Sequence, residues 1–349
     1  MRIRYLLTFA VAACLIASAG DAFAGGATRI GTAGAQELRI PTFARGAAMG
    51  GSIMADVTGV EALHWNPAGV VGSKKHQAAF SRLNYIADVT MNSFGATWKM
   101  KSDIAIGVTA RVLDVGDIYV TTEDNPDGTG ETTSPTFSAF GVTYSHQLID
   151  RVSFGATIKY INERIKRETA QGMAFDFGFQ YAPGFKGVRF GLTLRNFGPG
   201  IRFDGPDLEH SLRLPGTDPQ ARNRSTRVVL SQAELPTSLE LAASFDLYNT
   251  KMNRFVWTLA FRNNNMSEDE YQTGAEYAIN DVLYLRGGYA LAPKASTTPS
   301  GFGKQFIFGP TFGVGVRMPI NSAALSVDYS QAVNDVFTDS RLITVRFDF

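Results

Sequence analysis

The sequence predicts an all-β fold: a 14-stranded antiparallel transmembrane β-barrel with an N-terminal plug or hatch segment. Three observations predict it: segments in which apolar and polar residues alternate, an even number of such segments, and connections that alternate between tight turns and longer polar loops. The mean hydropathy of -0.05 agrees with this fold, because lipid-facing and lumen-facing residues cancel along every strand. With 349 residues, 44% hydrophobic and 19% charged, the chain is neither disordered nor collagen-like.

The N-terminus is typical of an exported bacterial protein, and we expect residues 1–24 to be a signal peptide. Arg2 and Arg4 precede an apolar stretch, and Ala22-Phe23-Ala24 matches an A-x-A cleavage site. Cleavage after Ala24 leaves a mature chain without cysteine, since the single Cys14 lies in the apolar stretch. The residues around Cys14 loosely resemble a lipoprotein cleavage box, but the apolar run continues past that cysteine, which disfavours lipidation.

Residues 25–75 show little alternation and are expected to form a hatch inside the barrel. The lumen of a fourteen-stranded barrel is wider than its own side chains can fill, so a plug is the simplest placement for this segment. Asn66-Pro67 predicts a turn, Gly69 is expected at a positive φ, and Trp65 is expected to pack against the inner wall. The expected hatch motif consists of Trp65, Asn66, Pro67, Ala68 and Gly69.

Residues 76–349 are expected to form the barrel. Phe175, Phe177 and Phe179 share one face of a predicted strand, whereas Asp176 and Gln180 share the other. A soluble sandwich shows the same alternation, so the number and length of the strands decide between the two folds. Most segments are close to the roughly 9 to 11 residues that a tilted strand needs to cross a bilayer. The predicted strands are 76–85, 91–100, 103–113, 136–148, 151–162, 172–182, 187–196, 237–248, 253–262, 271–279, 282–291, 304–318, 322–331 and 341–349.

The predicted connections sort by length. One set is tight, as at residues 101–102 and 149–150, and the other is polar and mostly longer, as at 114–135 and 197–236, with a shorter member at 163–171. Outer-membrane barrels have short turns on the periplasmic side and long loops outside. We therefore expect a protein of the bacterial outer membrane, surrounded by outer-membrane lipid and inserted by the barrel-assembly machinery.

Charged residues of the predicted strands fall on the face opposite to the apolar one. Arg or Lys at the bilayer midplane of a lipid-facing surface costs roughly 2 to 4 kcal/mol. We therefore expect these side chains to point into the lumen. They include Arg111, Lys159, Asp176, Arg189, Arg195, Glu240, Arg254, Arg317 and Arg346.

The last strand carries an expected barrel-insertion signal. It ends on the aromatic Phe349, and Ile343, Val345 and Phe347 share one face. This pattern resembles the C-terminal signal by which bacterial outer-membrane barrels are recognised for insertion, although an ordinary edge strand shows it too.

The sequence suggests no enzymatic site, cofactor or metal centre. The four histidines are scattered without ligand spacing, and the mature chain has no cysteine to serve as nucleophile or ligand. With 33 basic and 32 acidic residues, the formal charge of +1 gives no reason to expect a nucleic-acid partner.

Two blocks of the sequence resemble the PorV/PorQ family of outer-membrane proteins. The N-terminal block comprises residues 31–35, 44–51 and 62–69, and the second block comprises residues 194–203 followed by Glu234-Leu235-Pro236. The departures are Glu37, where the family pattern leads us to expect an apolar residue, and the polar, arginine-bearing segment between the strands of the second block. The resemblance implies a barrel similar to the FadL long-chain fatty-acid transporters, whose hatch carries an Asn-Pro-Ala motif that matches Asn66, Pro67 and Ala68.

Two functions are compatible with this resemblance. The first is a non-enzymatic component of type IX-like protein secretion and surface attachment, whose extracellular loops dock partner barrels or cargo with C-terminal sorting domains. The alternative is a FadL-like transporter of hydrophobic small molecules, in which the hatch gates a path toward a lateral opening. A continuous apolar tunnel favours transport and a sealed polar plug favours docking. The expected inward charges favour the first function.

Overall fold

A computed structural model of the chain describes residues 29–185, 187–212, 224–292 and 308–349. Fourteen long strands form one closed antiparallel barrel, as the sequence predicts. The strands are β1 (Gln77–Asn84), β2 (Thr90–Lys99), β3 (Ile104–Asp114), β4 (Thr136–Ile149), β5 (Val152–Ile165), β6 (Glu168–Tyr181), β7 (Val188–Phe197), β8 (Ser238–Asn249), β9 (Asn253–Asn264), β10 (Glu270–Ile279), β11 (Leu283–Leu291), β12 (Phe308–Ile320), β13 (Ala323–Asn334) and β14 (Ser340–Asp348).

Each strand pairs with its neighbours in sequence, and β1 closes the ring by pairing with β14. This pairing runs without a break from Gln77↔Asp348 to Asn84↔Arg341. A closed ring leaves no free strand edge, so the backbone N–H and C=O groups have partners within the wall.

The two rims of the barrel differ in their connections. The rim at which β14 ends carries short turns, such as residues 150–151 and 321–322, and we call it the periplasmic rim. The opposite, outer rim carries the long connections, including residues 115–135 and 198–237. Several short elements fold within these connections: strand pairs Ile118–Tyr119 with Thr132–Thr133 and Glu209–Leu212 with Arg224–Arg227, the strand Phe203–Asp204 on β6, and the 3-10 turn Pro206–Leu208.

One predicted loop is wrong. The sequence predicts a connection over residues 163–171, but β5 continues to Ile165 and β6 begins at Glu168. The tight turn between them has Lys166 at φ 54°. The polarity of this stretch is typical of a loop, yet polar strand ends above the bilayer still form the backbone ladder.

The outer surface of the wall is apolar, and the inward face carries the buried charged and polar side chains, with apolar residues at its outer end. Large apolar side chains such as Phe140, Ile158 and Phe312 are exposed around the barrel. Arg111, Lys159 and Arg195 are buried in the lumen, as the alternation of residues along their strands predicts. No helix in the described parts of the chain is long and apolar enough to cross a membrane.

Residues 29–75 run through the lumen from the outer rim toward the periplasmic rim. Two short helices, α1 (Ala44–Ala48) and α2 (Ala62–Trp65), alternate with 3-10 turns at Gln36–Arg39, Ile53–Ala55, Gly59–Glu61 and Pro67–Gly72. The apolar core of this segment includes Phe43, Met49, Ile53, Leu63 and Trp65. We refer to residues 29–75 as the hatch; the first four residues of the expected segment 25–75, and the expected signal peptide 1–24, lie outside the described residues.

Candidate functional site in the barrel lumen

Asn66 ties the hatch to itself and to the wall. Its side chain is fully buried, and Nδ2 donates to the carbonyl oxygens of Met54 at 3.0 Å and Phe179 at 3.1 Å. Its Oδ1 accepts from the backbone N–H of Ala68 at 3.1 Å and so caps the 3-10 turn that begins at Pro67. The turn expected at Asn66-Pro67 is therefore present, and the asparagine also joins the hatch to β6.

Two wall glycines make room for this motif. A Cβ at Gly155 would lie 2.2 Å from the carbonyl carbon of Pro67, and one at Gly178 would lie 2.0 Å from Asn66 Oδ1. Any larger residue at either position would push the hatch away from β5 or β6. The hatch and the wall therefore fit each other at backbone contact distance.

Gly69 does not adopt the expected positive φ. It lies within the 3-10 turn Pro67–Gly72, and the positive-φ glycines lie elsewhere. A Cβ at Gly69 would lie 2.1 Å from the Val57 carbonyl oxygen. Close backbone packing, and not a left-handed conformation, accounts for glycine at this position.

Trp65 packs in the centre of the lumen, against hatch and wall side chains. Its ring meets the His64 ring edge-on at a centroid distance of 4.8 Å, and the Arg195 guanidinium lies 5.7 Å from its centroid. Gly46 of α1 lets the indole approach, since a Cβ there would lie 2.1 Å from Trp65 Nε1. Burial, with the nearby Arg195 charge, holds the pKa of His64 well below its usual range. His64 is therefore neutral at physiological pH.

A buried ionic network fills the periplasmic half of the lumen. Arg45 of α1 reaches Glu276 at 2.8 Å and Asp56 at 2.7 Å. Arg286 binds the same Glu276 at 2.7 Å, and Arg189 pairs with both Asp56 and Asp246. The polar cavity between these groups measures about 340 Å³. Burial alone would lower the pKa of Arg45, but the Glu276 and Asp56 carboxylates raise it well above its ordinary value.

A second ionic network lies farther toward the outer rim. Glu240 accepts from Arg195 at 3.3 Å and from Arg262 at 2.9 Å. Arg262 continues to Glu270 at 3.0 Å, and Glu270 also binds Arg39 of the hatch at 2.8 Å. Charged side chains on the inward face of the wall are thus paired with one another and with the hatch.

Between the hatch and the outer rim lies a large cavity of about 990 Å³. Most of the side chains around it are apolar, and they come from the hatch, from outer connections and from the outer ends of several strands. They include Ile30, Ile40, Trp65, Leu83, Tyr85, Ile86, Val89, Leu113, Phe137, Ile165, Phe203, Phe308 and Leu342. We call this space the outer cavity.

Glu37 is one of the charged groups in the wall of this mainly apolar space. It lies in the 3-10 turn Gln36–Arg39 and is 5% exposed. Glu163 of β5, also 5% exposed, lines the cavity beside it and accepts from the Ala35 N–H at 3.0 Å. Burial and the Glu163 carboxylate raise the pKa of Glu37 to about 8. The sequence marks Glu37 only as a departure from the expected apolar residue, and no local pattern links it to Glu163.

The barrel wall is irregular between β6 and β7. The pairing register shifts between Phe175 and Phe177, and Asn196, at φ 54°, donates its N–H to Asp176 at 2.8 Å. Beyond the end of β7, the side chain of Ile201 lies against Gly172 of β6, and its backbone pairs with Ala233. The hatch meets the wall here, since the Gly34 N–H donates to the Glu234 carbonyl at 3.0 Å.

The residues of the expected insertion signal lie on the outer surface of β14 and beyond its end. Ile343, Val345 and Phe347 are exposed on the lipid-facing side, and the Phe349 ring stacks on Phe347 at 5.7 Å. Their role in recognition by the assembly machinery stays a prediction.

Within the described chain, no cluster of three or more histidine, cysteine or acidic side chains is arranged to hold a metal ion. The hatch motif and the insertion signal lie apart in the fold, the former in the lumen and the latter on the outer surface. Neither forms a catalytic constellation.

No family model and no curated protein sequence matches this chain. Solved structures do match: the toluene transporter TodX of Pseudomonas putida has a TM-score of 0.56 at 12% identity, covering 88% of this chain and 97% of that one. The monoaromatic hydrocarbon channel CymD has a TM-score of 0.53 at 12% identity over 88% and 96%. A FadL homologue of Pseudomonas aeruginosa has a TM-score of 0.53 at 12% identity over 89% and 98%. The chain thus has the fold of FadL-type outer-membrane barrels, whereas its narrower resemblance to PorV and PorQ stays a prediction.

Proposed function

We propose that this protein is an outer-membrane channel for hydrophobic small molecules, with the hatch as its gate. The observation that carries this proposal is the outer cavity, a space of about 990 Å³ lined mainly by apolar side chains inside a barrel. Cavities of 300 to 1,000 Å³ with apolar walls and a few polar groups are typical of small-molecule sites.

The position of the cavity supports this proposal. A water-filled pore for hydrophilic solutes has a polar interior throughout, whereas here the outer end of the lumen presents Leu83, Leu113, Phe137 and Leu342. A barrel that served only to dock other proteins would have no need of such a space. The ionic half below, with the hatch across it, blocks free diffusion of water-soluble compounds.

The structural comparisons support the same proposal by analogy. Two of the similar structures are described as a toluene transporter and a monoaromatic hydrocarbon channel. At 12% identity they share the fold with this chain, and function is argued from the site. The secretion role, with its sorting-domain cargo and partner barrels, stays a prediction from the sequence resemblance.

Uptake into proteoliposomes tests the proposal. Vesicles with a lipopolysaccharide outer leaflet, which slows the passage of hydrophobic molecules, should take up radiolabelled toluene faster when they contain the mature protein than when they are empty. A labelled hexose should enter both kinds of vesicle at the same rate. Ala332→Phe places a ring in the cavity wall and should reduce toluene uptake several-fold. Ala323→Phe, at the other end of the same strand, is the matched control. Toluene uptake that is equal with and without protein would contradict the proposal.

A further inference from the structure

Two carboxyl groups stand together in the wall of the outer cavity. Glu37 and Glu163 both line the cavity, and both are about 95% buried, with 5% of each exposed. Glu37 Oε1 has no hydrogen-bond partner among the residues that the structure describes. Glu163 Oε1 accepts from the Ala35 N–H, which fixes the second carboxyl beside the hatch turn. We call Glu37 and Glu163 the carboxyl pair.

The cations around the cavity do not neutralise this pair. Arg39 and Arg262 line the same cavity, but both bind Glu270, and Arg262 also binds Glu240. They are therefore committed to other carboxylates.

Arg111 of β3 is the charged group that approaches Glu37 from the wall. It is buried and donates to the Leu38 carbonyl oxygen at 3.4 Å. The Arg111 charge acts on Glu37 and also on Asp176, so it does not balance both carboxylates of the pair. At neutral pH a proton supplies the missing positive charge, consistent with a pKa of about 8 for Glu37.

We propose that the carboxyl pair is the polar end of a binding site for hydrophobic molecules that carry a protonated amine. The amine takes the place of the proton between Glu37 and Glu163, and the apolar part of the ligand occupies the space bounded by Phe137, Phe203 and Ile165. This inference rests on the proposed function, because it names the substrate class of the same cavity.

The chemistry of the pair favours this ligand over others. A carboxylate ligand would meet two acidic groups and would be repelled. A neutral hydrocarbon fills the apolar space but leaves Glu37 Oε1 without a partner. A buried ammonium costs desolvation, which a charge-assisted hydrogen bond to each carboxylate offsets.

Equilibrium dialysis with a matched ligand pair tests the inference. Phenethylamine and propylbenzene differ in that a protonated amine replaces a methyl group, so their apolar contacts are nearly the same. Purified mature protein in detergent at pH 7.5 should bind phenethylamine about tenfold more tightly than propylbenzene, the gain expected from one charge-assisted contact. Equal binding of the two ligands would overturn the inference.

The variants Glu37→Gln and Glu163→Gln locate the site. Both keep the side-chain shape, and a glutamine at 163 can still accept from the Ala35 N–H, so the hatch turn is retained. Each should abolish the preference for the amine while propylbenzene binding changes less than about twofold. Glu268→Gln, which removes another carboxylate of the cavity wall, is the control and should keep the preference. An undiminished preference in both pair variants would overturn the inference.

The dialysis experiment can succeed or fail independently of the vesicle-uptake experiment that tests the proposed function. A preference for the amine in dialysis without toluene uptake in vesicles supports the site and contradicts the channel. Toluene uptake without any preference for the amine supports the channel and overturns the site.

Discussion

The periplasmic half of the lumen is filled by ion pairs, whereas the outer half contains a mainly apolar cavity. The periplasmic half holds the hatch with a dense network of buried ion pairs centred on Glu276, Arg45 and Asp56. The outer half leaves a large space lined mainly by apolar side chains, where Arg39 and Arg262 pair with Glu270 and the carboxyl pair Glu37 and Glu163 binds neither arginine.

The two halves therefore hold the hatch differently. Removing one partner of a buried ion pair strongly destabilises a protein, because the other charge is left buried and unpaired. At the outer cavity the hatch and the wall are separated by open space, and Glu37 and Glu163 lie at its edge. We therefore expect the periplasmic half to act as the anchor and the outer half as the part that meets ligand.

The largest expected effect comes from breaking the anchor. Glu276→Gln removes the carboxylate shared by Arg45, Arg254 and Arg286 and leaves these guanidiniums short of a partner. Removing one partner of a buried ion network typically costs about 3–5 kcal/mol. The free energy of unfolding of the refolded barrel in urea should fall by that amount. A change below about 1 kcal/mol would show that the network does not anchor the hatch.

A smaller effect is expected at the hatch motif. Asn66→Ala removes the hydrogen bonds to Met54, Phe179 and Ala68. Each buried group left unpaired costs about 1–3 kcal/mol, which should loosen the hatch without preventing insertion. Cells that carry the variant should become more permeable to small hydrophilic antibiotics. Unchanged uptake at normal protein levels would argue that the segment is not a plug.

The smallest effect concerns the outer half and depends on pH. Glu37 has a pKa of about 8 in the folded protein, against 4.5 ordinarily, so the closed hatch turn holds a proton that an unfolded chain releases. The stability that this proton confers is complete below about pH 4.5 and is lost as the pH rises through 8.

Spin-label mobility at residue 33 measures this effect. In the variant Ala33→Cys, a nitroxide label beside the turn should gain mobility as the pH rises from 7 to 9. The same label with Glu37→Gln should show no pH dependence over this range. Equal pH responses in the two proteins would contradict the role of Glu37.

The barrel strands could be predicted because the alternation that marks them lies within each strand. A strand between lipid and a polar lumen must alternate residue by residue, so Phe177 and Asp176 reveal their faces without knowledge of their partners. Most strand limits therefore agree within a few residues. The loop predicted at 163–171 failed, because polarity above the membrane does not end a strand.

The hatch was less accessible to prediction because its contacts are distant in sequence. Ala35 and Glu163, which meet at the carboxyl pair, are 128 positions apart. Gly69 was expected at a positive φ, yet glycine is needed there for close packing on Val57. Local motifs such as Asn66-Pro67 gave the turn, but only the fold shows that Asn66 also reaches β6.

Anomalous diffraction from crystals soaked in 4-bromotoluene locates a hydrophobic molecule in the protein, because bromine reports its position without reliance on transport rates. We expect a bromine peak in the outer cavity among Leu113, Phe137 and Leu342. Peaks confined to the lipid-facing surface of the barrel, with the outer cavity free of bromine, would contradict the proposed function.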